Sequence, residues 1–499
     1  MKTKISGLIL LILGTALSGL EQYPVAALMG AVPAVEPITE LGVINDLKGG
    51  AYVLSIAGEA LTLIRGAAGG SLGPYEIPDF PGPALRARNL QLSATGPVQY
   101  AAFIGGRGLS EGVCVLGLDH RGELVYYPVP ETETPGPISE FIITGQYDGS
   151  AELYLLGDGR LSCVTGIGRR DKLRVYQSLS LNGETVEAFG IIEDIRQGPR
   201  YGWYRIQSGE NSEVIVFSLS ENGILKRDRL GIYSGDVRVS YGLAFDRTII
   251  LTLINKSRVE VFRETGAGFL RSLSFNVPVP VKRYYPPDQI GGNMGILTGG
   301  SGGEEQVYGV FYENTGTPVL KEWLSIRDGS VMDMIYAGNK QLAILYEDGE
   351  GWHSALVDLA DGFLGERPIR GAESGARLLY SGGLGEISLC MGDKKDGGRL
   401  LFYGLAKGGD WELLRQMPIP ENIWETGIKG EDILSLNPFY FKPSIVPLAS
   451  PAGLVLYEAE TGAWQSITGI KRNWSRRIND RILLAVYTGR ELALYRMEG

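Results

Sequence analysis

Between residues 249 and 276 the chain reads IILTLINKSRVEVFRETGAGFLRSLSFN. An unbroken apolar run meets a polar turn, then an alternating run, a Thr-Gly turn and a second alternating run. Runs of this length with a period of two, bounded by Gly, Asn and Ser, predict β-strands joined by hairpins. The same succession returns along the chain. It is found in GVCVLGLDHRGELVYYPV (112–129), SEVIVFSLSENGILKRDRL (212–230), EQVYGVFYENTGTPVLKEWLSI (305–326), HSALVDLADGFLGERPI (353–369), GRLLFYGLAKGGDWELLRQMPI (398–419) and GLVLYEAETGAWQSITG (453–469).

Each such hairpin follows another strand pair, and the second strand of that pair is apolar nearly throughout: TIILTLI (248–254), QLAILY (341–346), RILLAVY (481–487). A strand apolar on both sides is covered on both sides. The turn glycines Gly266, Gly316, Gly362, Gly408 and Gly462 recur every ~46–54 residues, a spacing typical of propeller blades. The expected fold is all-β: a β-propeller of four-stranded antiparallel blades in one large ring of about eight to ten blades. The chain stops one strand short of a full last blade, and AVPAVEPITELGV (31–43) is expected to supply the missing strand and close the ring. Helical periodicity is scarce, and 420–436 is the one segment that fits a short helix.

The N-terminus changes the picture of compartment. Lys2 and Lys4 precede the apolar run Ile5–Leu13, and Ala16-Leu17-Ser18 offers small residues for cleavage. The expected division is a signal peptide at 1–18, a segment at 19–37 that donates the closing strand, and the propeller at 38–499. The expected localisation is periplasmic or secreted, with nothing left to span a membrane once the signal is removed. Leu17-Ser18-Gly19 resembles a lipobox, but Leu20 stands where the lipid-bearing cysteine belongs. Cys114, Cys163 and Cys390 each lie in an apolar run and read as small core residues. Glycine, 71 of 499 residues, is about twice its usual share, which suits many tight turns. The net charge of −10 argues against nucleic acid as a partner.

Catalytic chemistry finds little support. There are two histidines, His120 and His353, in different repeats, so a histidine-based metal centre or triad is not expected. The GxSxG matches at 69–73 and 299–303 fall in Gly-rich turns of β-repeats, where a nucleophile elbow needs a strand and a following helix. Asp393 and Asp396 lack the spacing of a calcium loop. No catalytic residue, metal or cofactor is expected.

Four stretches have binding character, because aromatics beside Arg suit anion, carbohydrate or protein contacts. They are read as loops: Arg169 and Arg170; Lys282, Arg283, Tyr284 and Tyr285; Phe439, Tyr440 and Phe441; and Lys471, Arg472, Trp474, Arg476 and Arg477.

The stretch LYEAETGAW (456–464) resembles a quinoprotein-type repeat, and the whole is similar to bacterial envelope propeller scaffolds. That resemblance implies a binding or scaffold module for protein, or for an anionic or carbohydrate envelope polymer, without catalysis. The alternative is a propeller enzyme acting on carbohydrate or using a quinone cofactor, with loop carboxylates at the channel mouth.

Overall fold

A computed structural model describes the strands between residues 26 and 498 and many of their turns. Residues 1–25, 419–444 and a number of inter-strand turns lie outside the described residues. The expected helix at 420–436 therefore falls outside them.

The described elements are β-strands throughout, arranged in nine antiparallel sheets. The eight-stranded sheet is two blades, 38–74 and 86–127, joined through an Ala60–Arg86 pair. Numbered along the chain, blades 1 and 2 are followed by blades 3 (138–180), 4 (186–234), 5 (238–276), 6 (281–326), 7 (330–368), 8 (376–418), 9 (445–468) and 10 (472–498). Blade 9 shows three strands among the described residues. The fourth strand of blade 10 is Ala27–Pro33, which pairs with Glu491–Glu498. Ile38–Asn45, the later part of the expected closing segment, is instead the first strand of blade 1.

Apolar surface explains the arrangement. The second strands are buried along most of their length, as in Ala51–Ala57, Ile249–Asn255 and Met294–Gly299. No single sheet can hide both of its faces, so each blade buries one against each neighbour. Tyr154 and Leu161 of blade 3 pack with Phe189 and Tyr204 of blade 4. Val214 and Val216 of blade 4 pack with Leu251 and Phe262 of blade 5. Leu483 and Leu494 of blade 10 pack with Val43 and Val53 of blade 1, which closes the ring. A hydrogen bond from Ala26 N to Gln465 Oε1 (2.9 Å) ties the closing strand to blade 9.

The chain runs the same way through every blade, which gives the ring two distinct faces. First strands begin on one face, here the proximal face, where the hairpins between second and third strands also lie. The distal face carries the turns from first to second and from third to fourth strand. First strands line the axis. Those of blades 10, 1, 2, 3 and 4 run side by side across blade boundaries, as do those of blades 7 and 8.

Glycine has a second use that the turn reading missed. Gly117, Gly190, Gly202 and Gly309 sit inside strands, and a Cβ at any of them would strike the ring of Tyr100, Trp203, Phe217 or Trp323. Three of the four rings belong to the cross-strand partner itself: Tyr100–Gly117, Trp203–Gly190 and Phe217–Gly202.

Candidate functional site: the axial first strands

Two of the four basic-aromatic stretches are not loops. Val281–Tyr285 is the first strand of blade 6 and Arg472–Ile478 that of blade 10. The third, around Arg169, is the loop leaving the third strand of blade 3. Phe439, Tyr440 and Phe441 lie outside the described residues, as does Arg170. Arg476 and Arg477 are in the blade 10 strand, but their side chains are outside the description.

The strand assignment separates structural from available side chains by the alternation of the pleat. Tyr284 is buried between blades 5 and 6, edge-on to Phe275 at 5.6 Å, with its hydroxyl on that of Tyr312. Tyr285 packs against the cluster between blades 6 and 7. Trp474 is half-buried against the cluster between blades 10 and 1. These aromatics are packing groups. Lys282 reaches the nearly buried carboxylate of Glu305 (Nζ–Oε2 2.7 Å), and the same oxygen accepts the Val331 N–H at the start of blade 7 (3.2 Å). Arg283, Lys471 and Arg472 are exposed, and so is Arg88 on the first strand of blade 2.

Lys282 belongs to a device that the sequence did not reveal. Several blades send a polar side chain to backbone groups of the next blade's first strand. Glu40 of blade 1 accepts from Asn89 N (2.9 Å) and Leu90 N of blade 2. Arg205 of blade 4 donates to Val237 O (2.7 Å) beside blade 5 and pairs with Asp236. Arg238 of blade 5 donates to Lys282 O (2.7 Å) and Val281 O of blade 6. Asp333 of blade 7 accepts from Leu378 N (3.3 Å) of blade 8. Donor and acceptor types vary from blade to blade, so no motif recurs; only the geometry does.

Arg169 is held in another repeated arrangement. Asp148 on the distal face accepts from Ser150 N (3.0 Å) and Ser150 Oγ (2.6 Å), and pairs with Arg169 Nη1 at 3.0 Å. In blade 5, Asp246 accepts from Thr248 N (3.0 Å) and pairs with Arg263 Nη2 at 2.6 Å. An arrangement built twice on corresponding turns fixes turn geometry.

Buried carboxylates mark two further places. Glu260 of blade 5 accepts from Tyr233 Oη of blade 4 (2.5 Å) and pairs with Arg258 (2.6 Å) and Arg271 (3.0 Å). Burial alone would raise its carboxyl; the Tyr233 hydrogen bond and the two guanidinium charges outweigh that and hold it below the ordinary value. Glu152 of blade 3 has no such cation in contact among the described residues. Burial pushes it up to about 7, against the opposing hydrogen bond from Tyr154.

The candidates for chemistry resolve plainly. His120 is an exposed turn residue, and His353 stacks on Tyr346 with Nε2 3.1 Å from Asp348 Oδ1. Ser301 lies in a hairpin turn of blade 6 with no helix after it. Cys114 and Cys163 are buried free thiols; burial pushes Cys114 up to about 11 and Cys163 well above its ordinary value. Among the described residues no group of three His, Cys, Asp or Glu could hold a metal ion, and no helix is long and apolar enough to cross a membrane.

No family model matches the chain, and no curated protein matches it in sequence. Among solved structures the chain is similar to the WD40 domain of SCAP from fission yeast, at 13% identity and a TM-score of 0.38, over 72% of this chain and 95% of that one. It is similar to a protein from Lactobacillus plantarum at 10% identity and a TM-score of 0.29, over 65% of this chain and 95% of the other. A puromycin hydrolase aligns at 11% identity and a TM-score of 0.29, over 74% of this chain and 62% of its own. The chain is a β-propeller by its sheet order, its blade-to-blade packing and its closing strand.

Proposed function

We propose that the chain is a secreted or periplasmic propeller scaffold that holds an anionic partner, an acidic protein segment or an envelope polymer, at its axial first strands. The observation that carries this reading is the exposure of Arg88, Arg283, Lys471 and Arg472 along the axis of a chain with a net charge of −10. Exposed acids share those strands, but Glu187 is already engaged by Arg205 at 3.3 Å. A channel lined by low-dielectric walls concentrates such a field and raises the local concentration of the opposite charge. The buried aromatics of the same strands keep the backbone stiff beneath the cations.

The test is titration of the protein with poly-L-glutamate and with a poly(glycerol phosphate) polymer at two salt concentrations. Binding that weakens with salt, and falls roughly five-fold or more in Arg283→Ala/Arg472→Ala at unchanged melting temperature, supports the reading. Absence of polyanion binding at low salt rejects it.

A further inference from the structure

Several first strands carry a β-bulge at the same step. The register slips between Ile38 and Glu40, Ile138 and Glu140, Val186 and Ala188, Val281 and Arg283, and Val331 and Asp333, in blades 1, 3, 4, 6 and 7. A bulge puts an extra residue into one strand and re-aims the side chains beside it. The residue just past the bulge shows what each blade does with that freedom. Glu40 and Asp333 direct their carboxylates to N–H groups of the next blade, and Ala188 carries no charge. Glu140 and Arg283 stay exposed. Among these five blades, Arg283 is the one cation just past the bulge.

The strand around Arg283 is braced from both sides. Arg238 of blade 5 donates to Lys282 O (2.7 Å) and Val281 O, the two carbonyls leading into it. Lys282 Nζ shares Glu305 Oε2 with the Val331 N–H of blade 7. Tyr284, the next residue, is buried against Phe275. Val281, Lys282 and Tyr284 are therefore fixed in a strand of five residues, and Arg283 stands between them with no described partner. Arg88, by contrast, is already engaged, and Arg472 opens a strand without a bulge. A cation on an immobilised backbone loses less freedom when it binds.

The surroundings narrow the anion. One planar guanidinium takes one planar carboxylate through two parallel N–H···O bonds. Glu304 and Asp328 are exposed in the proximal turns beside it and oppose a dense run of negative charge. Met332, 38% exposed and one residue past Val331, offers an apolar neighbour. Spaced carboxylates among apolar residues, as in an acidic protein segment, fit that combination better than a polymer charged at every repeat.

We propose that Arg283 is the anchor for a carboxylate of an acidic protein segment, and that Arg238 is its positioning residue. The inference rests on the anionic-partner reading and names the cation and the anion that carry it.

The test is titration of the full chain with a random glutamate–alanine copolymer and with poly(glycerol phosphate). Arg283→Ala should weaken copolymer binding roughly five-fold or more, about three times the loss in Arg88→Ala or Arg472→Ala at the least. Arg238→Gln should weaken it too, yet add nothing in the Arg283→Ala background, whereas a residue acting on the fold alone would weaken both backgrounds alike. Equal losses at the three cations overturn the anchor and leave the anionic-partner reading standing. An additive loss at Arg238 overturns its positioning role. Tighter, Arg283-dependent binding of poly(glycerol phosphate) rejects the carboxylate, and a parent chain that binds neither polymer rejects the anionic-partner reading itself. Should Arg238→Gln unfold, Arg238→Lys replaces it in the same cycle.

Discussion

At the scale of single residues, strand glycines and buried acids decide where the fold tolerates change. Gly202 faces the ring of Phe217 across the sheet, so Gly202→Val must displace an aromatic that is 0% exposed. Interiors packed to crystal-like density do not absorb such an insertion freely. The expected loss is about 1–3 kcal/mol by denaturant titration, whereas Gly209→Asn, at a positive-φ turn with open space around it, should stay within ~0.5 kcal/mol. Glu152 makes the opposite kind of prediction. Burial pushes its folded carboxyl up to about 7, above the ordinary 4.5, so between these values the folded state holds a proton that the unfolded chain has released. Stability from this group is complete below the unfolded value and falls as pH rises toward 7. Glu152→Gln should therefore raise stability by roughly 1–3 kcal/mol at pH 8 and change little near pH 4. A stability curve parallel to that of the parent across this range would remove Glu152 from the account.

At the scale of elements, hairpins were legible and their neighbours across blades were not. The third and fourth strands alternate and are separated by Thr-Gly and Asn-Gly-type turns, so local pattern suffices to find them. The second strands announce themselves as unbroken apolar runs because both of their sides are covered. VKRYY and RNWSRRI carry too much charge for a strand in the usual reading, and they pass for loops. They are strands because Arg283 and Arg472 stay exposed and Lys282 reaches a carboxylate of another strand, while Tyr284 and Trp474 face the blade clusters. The Lys282–Glu305–Val331 link was invisible for the same reason: it joins residues far apart in sequence with no shared motif. It predicts a clean contrast. Lys282→Met strips the cation from a carboxylate that is 4% exposed and should cost about 1–3 kcal/mol. Arg283→Met, one residue on and exposed, should alter stability by less than ~0.5 kcal/mol while weakening polyanion binding. Equal destabilisation by both would contradict the assignment of one to the fold and the other to the surface.

At the scale of the whole molecule, closure is what turns a row of blades into one cooperative body. An open array of repeats gains stability from each blade and each junction, and it frays from its ends. Here the last blade borrows Ala27–Pro33 from the start of the chain, and its leucines pack with the first blade, so the row has no terminal junction. The pleat makes the consequence testable with neighbouring residues. Met29 is 4% exposed within the cluster of blades 10 and 1, whereas Leu28 is 55% exposed on the rim. Met29→Asp places an unpaired carboxylate in that cluster and should cost about 3–5 kcal/mol; Leu28→Asp should cost less than ~0.5 kcal/mol. The form of the transition carries more information than its midpoint. With the junction lost, blades 10 and 1 become ends and melt first, so the amide-exchange protection of Arg481–Tyr487 in blade 10 should be lost at a lower temperature than the far-ultraviolet signal of the whole ring. In the parent the two signals should coincide. Coincident melting in Met29→Asp would mean that the blades support one another without closure, and the circular arrangement would then add geometry but no cooperativity.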